Sequence, residues 1–260
     1  MHEHEYEAMF GLEDVYWWFI ARRQLAVDIL RRELATRSDA RILDVGCGTG
    51  SNLSAFAELG RATGIDASPE ALAFCRRRGV ETVSLAEIER LPFADATFDI
   101  VTAMDVLEHT DDDLAALREL RRVCKPGGLL LATVPAYGFL WSEHDEALKH
   151  RRRYTAHELR NKLTVTDFAV ERTSYFITML FFPILLMRIH QGLFKKSTQP
   201  QTSIQLLPRW LNRTLVGLLS IERRAYRAIN LPFGVSIVAM ARPSERPRIS
   251  ATSAAGLLAG

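Results

Sequence analysis

A doubly wound α/β domain on a mainly parallel sheet is the fold class that this chain of 260 residues predicts. Three observations predict it. Strand-like and helix-like stretches alternate from Arg41 to Val134, the pattern of right-handed βαβ units. A glycine-rich turn follows the first strand and opens a helix. Apolar residues make up 48% of the chain, enough for a substantial core in one large domain or two small ones.

Taken in order, Ile20–Leu34 reads as an amphipathic helix with Leu25, Ile29 and Leu30 on one face, preceded by the aromatic run Tyr16-Trp17-Trp18-Phe19. Arg41–Val45 is a short β-rich run that stops at glycines. Asn52–Leu59 is a helix, and Ala62–Ile65 a strand ending at Asp66. Pro69–Arg78 is a helix with Ser68 as N-cap and Pro69 in its first turn. Val80–Leu85 and Phe98–Ala103 are strands, and Asp111–Val123 is a helix. Gly128–Val134 is a strand after the Lys125-Pro126-Gly127-Gly128 turn. Tyr137–Tyr154 reads as a loop. Thr155 to Glu158 forms a capping box for a helix to Leu163. Phe168–Ser174 and Val235–Ala241 are the last two strands.

Composition excludes some classes of function. A formal net charge of +2 is too small to argue for nucleic acid, and no RNA-binding module is recognisable. Cys47, Cys75 and Cys124 are odd in number and form no CxxC pair, which points to a reducing, cytoplasmic setting. The acidic, polar start Met1-His2-Glu3-His4-Glu5 is not the pattern of a signal peptide.

Gly46-x-Gly48-x-Gly50 lets the backbone turn sharply and approach a ligand, and the next helix offers free N–H groups to an anionic end. The spacing is GxGxG, not the GxGxxG of dinucleotide sites, which weighs against a nicotinamide-dependent oxidoreductase. Asp44 lies in the first strand, where a cationic amino acid and a sulfonium can lie near. Asp66, ending the next strand, suits two ribose hydroxyls.

These blocks, LDVGCGTG, GID, LPFADATFD and KPGG in order from Ile42 to Val134, resemble the class I S-adenosylmethionine-dependent methyltransferases of the type 11-like group. The resemblance implies a seven-stranded Rossmann-like sheet with an antiparallel last strand, and S-adenosylmethionine as cofactor. It assigns Gly46, Gly48 and Gly50 to the methionine part, Asp66 to the ribose and Glu87 to the adenine amine, although Ala86 stands where the family has glycine. It places Met104 or Asp105 on the methyl-transfer face.

Methyl transfer aligns a nucleophile with a sulfonium methyl and often removes its proton. Candidate catalytic residues are His109, Asp105 and His144; a structural role for Glu108 and His109 is the plainer alternative. Asp105, Glu108 and His109 also resemble the Glu-x-x-Glu-His block of plant small-RNA 2′-O-methyltransferases and ubiquinone-pathway O-methyltransferases. His150, five residues before Thr155, corresponds to the former family's later histidine. That resemblance implies a divalent metal on Asp105, Glu108, His109 and His150, lowering the pKa of an acceptor hydroxyl. It also leaves an RNA 2′-O-methyltransferase as an alternative. Trp141, Arg152 and Tyr154 are candidate substrate contacts, in a loop whose arginines suit an anionic acceptor or a solvated face.

The expected layout is a helical lid or hydrophobic anchor over 1–36, a core over 37–174, an apolar and basic helical insertion over 175–232, the last core strand over 233–242 and a disordered tail over 243–260. The apolar run Tyr175–Met187 is short for a membrane span and suits a core, interfacial or re-entrant segment. Between Lys195 and Ile229 seven basic residues face only Glu222, a net of +6. That suits peripheral contact with anionic lipid at the inner face of the membrane through 175–229, a helical cap, or a dimer interface. The insertion, the WW-x-x-x-RR start and the HRRRYT run resemble bacterial methyltransferases associated with cell-surface polysaccharide. That implies an O-methyltransferase acting on a glycan, lipid-linked or quinone-like small-molecule acceptor.

Overall fold

Parallel pairing of β1 (Arg41–Val45) with both β2 (Arg61–Asp66) and β4 (Phe98–Met104) sets the centre of the sheet. The structure is a computed structural model that describes residues 3–37, 39–194 and 207–244. β3 (Val83–Leu85) adds to β2, and β5 (Cys124–Pro135) to β4, both parallel. β7 (Ser236–Pro243) runs antiparallel between β5 and β6 (Phe168–Phe176), giving the seven-strand order β3-β2-β1-β4-β5-β7-β6. The fold class is as the sequence predicts, and the antiparallel last strand is as its resemblance implies.

Strand alternation divides the core between the two faces. Leu43, Val45, Val101, Ala103, Leu130 and Ala132 face α5 (Asp113–Val123) and α7 (Ala156–Val165). Ile42, Ile100, Leu129, Leu131 and Val238 face α2 (Trp17–Glu33), α3 (Ser51–Ala57) and α9 (Arg209–Tyr226). α1 (Glu3–Leu12) rests on α4 (Pro69–Arg77) through Tyr6 and Phe74. Caps start several helices where local chemistry predicts. The Ser68 hydroxyl accepts from Ala71 N at 3.2 Å, and the Thr155 hydroxyl from Glu158 N at 3.2 Å.

Some boundaries differ from expectation for local reasons. The N-cap before α5 is Asp112, whose carboxylate accepts from Ala115 N, so that helix starts at Asp113. Lys125-Pro126-Gly127-Gly128 is an irregularity inside β5 rather than a turn before it. Cys124 already pairs with Phe98, and the ladder resumes at Leu129 opposite Ile100. The expected loop over 137–154 contains α6 (Glu143–Ala147), closed by a capping box in which Asp145 accepts from Ser142 N at 2.9 Å. The insertion holds α8 (Phe181–Phe194) and α9, and the tail expected over 243–260 lies outside the described residues from 245 onward.

α9 is fastened by charge as well as packing. Arg223 and Arg227 both reach Asp28 of α2, at 2.7 and 2.9 Å. The buried Glu222 carboxylate accepts from Thr178 N and Met179 N at 3.0 Å each, capping the turn that leads into α8. Removing that acceptor strands two backbone donors. Glu222→Ala is expected to cost about 1–3 kcal/mol, read as a lower denaturant midpoint, with amide exchange at the start of α8 accelerating more than in the central strands.

Candidate functional site

The chain reverses its direction of growth across the sheet between β1 and β4, so the loops leaving those two strands part and leave a crevice at their carboxyl ends. A cavity of ≈1160 Å³ occupies it. Gly46 and Gly48 enter from β1, Asp66 from β2, and Met104 to Asp111 from β4; α1 and α2 wall it on one side and α8 on another.

The glycine loop is shaped for close approach. Gly46, Gly48 and Gly50 all have positive φ, which L side chains rarely adopt. A Cβ at Gly46 would meet Val106 Cγ2 at 2.3 Å. Gly46 and Gly48 line the cavity; Gly50 caps α3 and packs against Cys75 instead. Asp66 lies on the cavity wall, where it accepts from Gly48 N and Ser68 N at 2.9 Å each and so also ties the glycine loop to the next helix. Glu87 is exposed on the rim, and Met104 lines the floor. Asp44 is not in the cavity. It is fully buried opposite Thr102, whose hydroxyl donates to it at 2.6 Å, and burial pushes its pKa up to about 7.

Past β4 three of the predicted groups converge. Glu108, His109 and His150 each offer a ligand atom, and these atoms lie within 4.8 Å of one another. Glu108 is completely buried, and neither carboxylate oxygen has a hydrogen-bond partner among the described residues. Desolvation, with Asp105 adding repulsion, holds its pKa well above the carboxylate range. His109 is exposed on the cavity, yet desolvation in the crevice and the neighbouring His150 lower its pKa to about 3. The Nδ1 of His150 lies 2.9 Å from Asp145 Oδ1, and Asp145 is itself held by Arg153 at 2.7 Å. Burial opposes ionisation of Asp145, but the hydrogen bonds with His150 and Arg153 outweigh it and hold the carboxyl far below the usual carboxylate range.

Asp105, the fourth predicted ligand, is left out of that cluster. Its carboxylate pairs with the buried Arg22 of α2 and accepts from the Thr133 hydroxyl at 3.1 Å. Arg22 donates to the same hydroxyl at 2.9 Å and lies 4.1 Å over the Trp18 ring. His144 lines the cavity, and burial pushes it down to about 4. The predicted substrate contacts do not reach the cavity wall. Tyr154 is buried with its hydroxyl within hydrogen-bond distance of Asp113 Oδ2 and Leu107 O, because it packs under the loop rather than into it. Arg152 is spent on Asp113 and on the carbonyls of Thr110 and Asp111. Trp141 sits on the surface beside the cavity.

Other groups carry no local motif. Glu13, between α1 and α2, is buried against the glycine loop, where it takes the Thr49 hydroxyl and Arg78 at 2.9 Å. Arg188 enters the cavity from α8, and burial pulls its pKa down. The identity of each partner is set by tertiary contact over tens of residues, so spacing gives no signal for either.

Strand order, glycine loop and acidic second strand together define a Rossmann-like cofactor-binding domain. Residues 43–132 match the family model described as a methyltransferase domain. Across that segment the chain is similar to the class I S-adenosylmethionine-dependent methyltransferases. Over 168 residues the chain is 31% identical to a "Probable S-adenosylmethionine-dependent methyltransferase" of Mycolicibacterium smegmatis, covering 63% of each chain. Over 103 residues it is 40% identical to a ubiquinone biosynthesis O-methyltransferase of Xanthomonas oryzae pv. oryzae, covering 36% of this chain and 43% of that one. The S-adenosylmethionine-dependent methyltransferase structure from Mesorhizobium loti shares the fold at TM-score 0.55 and 19% identity, over 83% of this chain and 96% of that chain. Curated relatives at 31–39% identity are matched over 38–63% of their own length.

Two outcomes follow. Gly46→Ala is expected to weaken S-adenosylmethionine binding at least about tenfold by calorimetry, since an αL alanine alone costs about 1–2 kcal/mol before the clash with Val106. Burial pushes Glu13 up to about 7 from 4.5, outweighing Thr49 and Arg78. The folded protein thus keeps a proton that the unfolded chain has released, and stability falls as pH rises through that window, by at most about 3 kcal/mol. Denaturant midpoints across the window are expected to be flatter in Glu13→Gln by that contribution.

Proposed function

We propose that this protein transfers the methyl group of S-adenosylmethionine to a hydroxyl of a small glycan, lipid-linked or quinone-like acceptor, with a divalent metal beside the reacting oxygen. The observation that carries this reading is that Gly46, Gly48 and Asp66 open onto the same cavity as Glu108, His109 and His150.

The residues present fit both groups. The Gly46 to Gly48 backbone, at positive φ and without a Cβ, admits the methionine end. Asp66, with spare lone pairs on two oxygens already oriented by Gly48 N and Ser68 N, suits the ribose, and Glu87 on the rim suits the adenine amine. Met104 and Asp105, which line the cavity just past β4, would lie on the methyl-transfer side of the bound cofactor. S-adenosylmethionine supplies an electrophilic methyl on a sulfonium.

For the metal, a buried carboxylate with two unpartnered oxygens beside two imidazoles is a costly arrangement without a cation and a favourable one with it. Asp145 would accept a hydrogen bond from His150 Nδ1–H and leave Nε2 as the ligating atom, the usual backing of a metal-bound histidine. Glu108, His109 and His150 would hold the ion, which lowers the pKa of an acceptor hydroxyl. Arg22 holds Asp105 away from that position and joins α2 to the catalytic edge, so α1 and α2 act as a lid over both ligands. The ubiquinone biosynthesis O-methyltransferase among the relatives supports an oxygen acceptor in a reduced quinone-like or related ring.

Incubation with methyl-labelled cofactor and hydroxylated quinone precursors, glycans and polyprenyl-linked saccharides is expected to label one class. Chelation should abolish the transfer, and added divalent metal restore it. Glu108→Gln and His150→Ala should lose turnover and bound metal while cofactor affinity stays within about twofold. Asp145→Asn, which acts only through His150 and Arg153, should lower metal affinity about 10- to 100-fold. Chelator-insensitive turnover removes the metal from the mechanism; tight cofactor binding without transfer to any hydroxylated class overturns the reading as a whole.

A further inference from the structure

From Arg172 to Ile221 the chain runs fifty residues without an aspartate or glutamate, while it carries Arg172, Arg188, Lys195, Lys196, Arg209 and Arg213. Folding uses two of these six: Arg172 is held by Asn230 and the Tyr226 and Ile229 carbonyls, and Arg188 turns into the cavity. Arg209 and Arg213 stay exposed at the start of α9, beside Trp210 at 69% exposure. Lys195 and Lys196 lie outside the described residues.

α8 has two opposed faces. Ile184 and Arg188, one turn apart, line the cavity. On the far side, Met179 just before the helix, then Phe182, Leu186 and Ile189, recur at i, i+3, i+7 and i+10, which is one stripe of a 3.6-residue helix. They are 47, 60, 67 and 50% exposed. The stripe continues inward through ring contacts of Phe182 with Phe181 and Phe233, so it is rooted in the domain rather than frayed from it. Exposed apolar stripes on a helix without carboxylates mark candidate interaction surfaces.

We infer that the Met179–Ile189 stripe, with Arg209, Trp210 and Arg213, seats this protein on an anionic lipid bilayer. Apolar side chains on one face of α8, with exposed cations and a tryptophan at the start of α9 in the same insertion, suit the headgroup boundary. A second copy fits worse: an isologous contact would set one carboxylate-free, cationic surface against another. No helix among the described residues is long and apolar enough to cross a membrane, so the contact is a peripheral one. It places the Ile184–Arg188 cavity wall about one helix diameter, ~10 Å, from lipid.

Co-sedimentation of the full chain with phosphatidylcholine vesicles, with and without phosphatidylglycerol, tests this. Binding is expected only with phosphatidylglycerol, and is expected to weaken with salt. Phe182→Ser combined with Leu186→Ser should weaken it at least about tenfold. Arg209→Gln and Arg213→Gln should each weaken it about fivefold. Unchanged S-adenosylmethionine binding by these variants reports intact folding. No sedimentation with either vesicle, or equal sedimentation of wild type and the Phe182/Leu186 variant, overturns the inference. So does a wild-type dimer in light scattering that the variant dissolves without vesicle binding, which assigns the stripe to a second copy. Neither readout involves methyl transfer, so the catalytic reading stands or falls separately.

Discussion

The divergence of chain direction between β1 and β4 is the constraint on which the rest of the molecule depends. Two neighbouring parallel strands send their following segments to opposite sides, and the space between them cannot be filled by either crossover. One loop, Gly46 to Gly50, is built to bring backbone close to a ligand; the other, Asp105 to His109, brings side chains. The two meet in one cavity only because β1 and β4 are paired in register, Val45 opposite Ala103. A cofactor and an acceptor can therefore share a wall without any element specific to either. A fold of this kind hosts more than one chemistry. That fold is no evidence of reaction type, and the chemistry has to be argued from the side chains on the second loop.

The architecture was legible in the sequence because it is written in local signals. Periodicity, turn glycines and caps at Ser68 and Thr155 each act within a few residues, and each placed its element within a few positions of where it lies. Gly46, Gly48 and Asp66 were legible for the same reason, since a strand, a tight turn and a helix start fix them together. Asp44 was legible as an acid but not as a fully buried one. Its place in β1 alternates it onto the α2 and α3 face, away from the cavity, where Thr102 meets it. Tyr154 and Arg152 show the opposite limit. Both sit in a run with every appearance of a binding loop, but Asp113 collects them both from the start of α5, and a contact across some forty residues leaves no trace in spacing.

The electrostatics of the second loop follow from who reaches it. Asp105 and Glu108 are three residues apart, and ionising both in a buried site is unfavourable. Arg22 resolves half of that conflict by crossing from α2 to pair with Asp105, which leaves Glu108 as the carboxylate without a partner. The N-terminal helices thus do more than cover the cavity: they decide which acid is free. Asp145 does the corresponding work on the other side, taking one hydrogen bond from His150 and two from Arg153, so that this positive group faces the site already neutralised. The result is an unpartnered acid beside the rings of His109 and the Asp145-held His150, a donor set that suits a cation.

Charge in the insertion is divided by the same logic. Its net of +6 looks, along the sequence, like a single basic segment. In the fold Arg223 and Arg227 are consumed by Asp28, and Glu222, its lone acid, is buried as a cap for the Thr178 turn. Those interactions clamp α9 to α2 and set the start of α8, which is what holds the Met179–Ile189 stripe outward in a fixed orientation. Of the cations that remain exposed, Arg224 lies beside the Asp28 clamp, while Arg209 and Arg213 lie at the end of α9 farthest from it. Apolar surface and residual charge are therefore not leftovers of a poorly packed insertion. The buried polar contacts that could have satisfied them were made elsewhere, so the outer side of α8 and the start of α9 keep their unneutralised cations and bare side chains for a surface outside the chain.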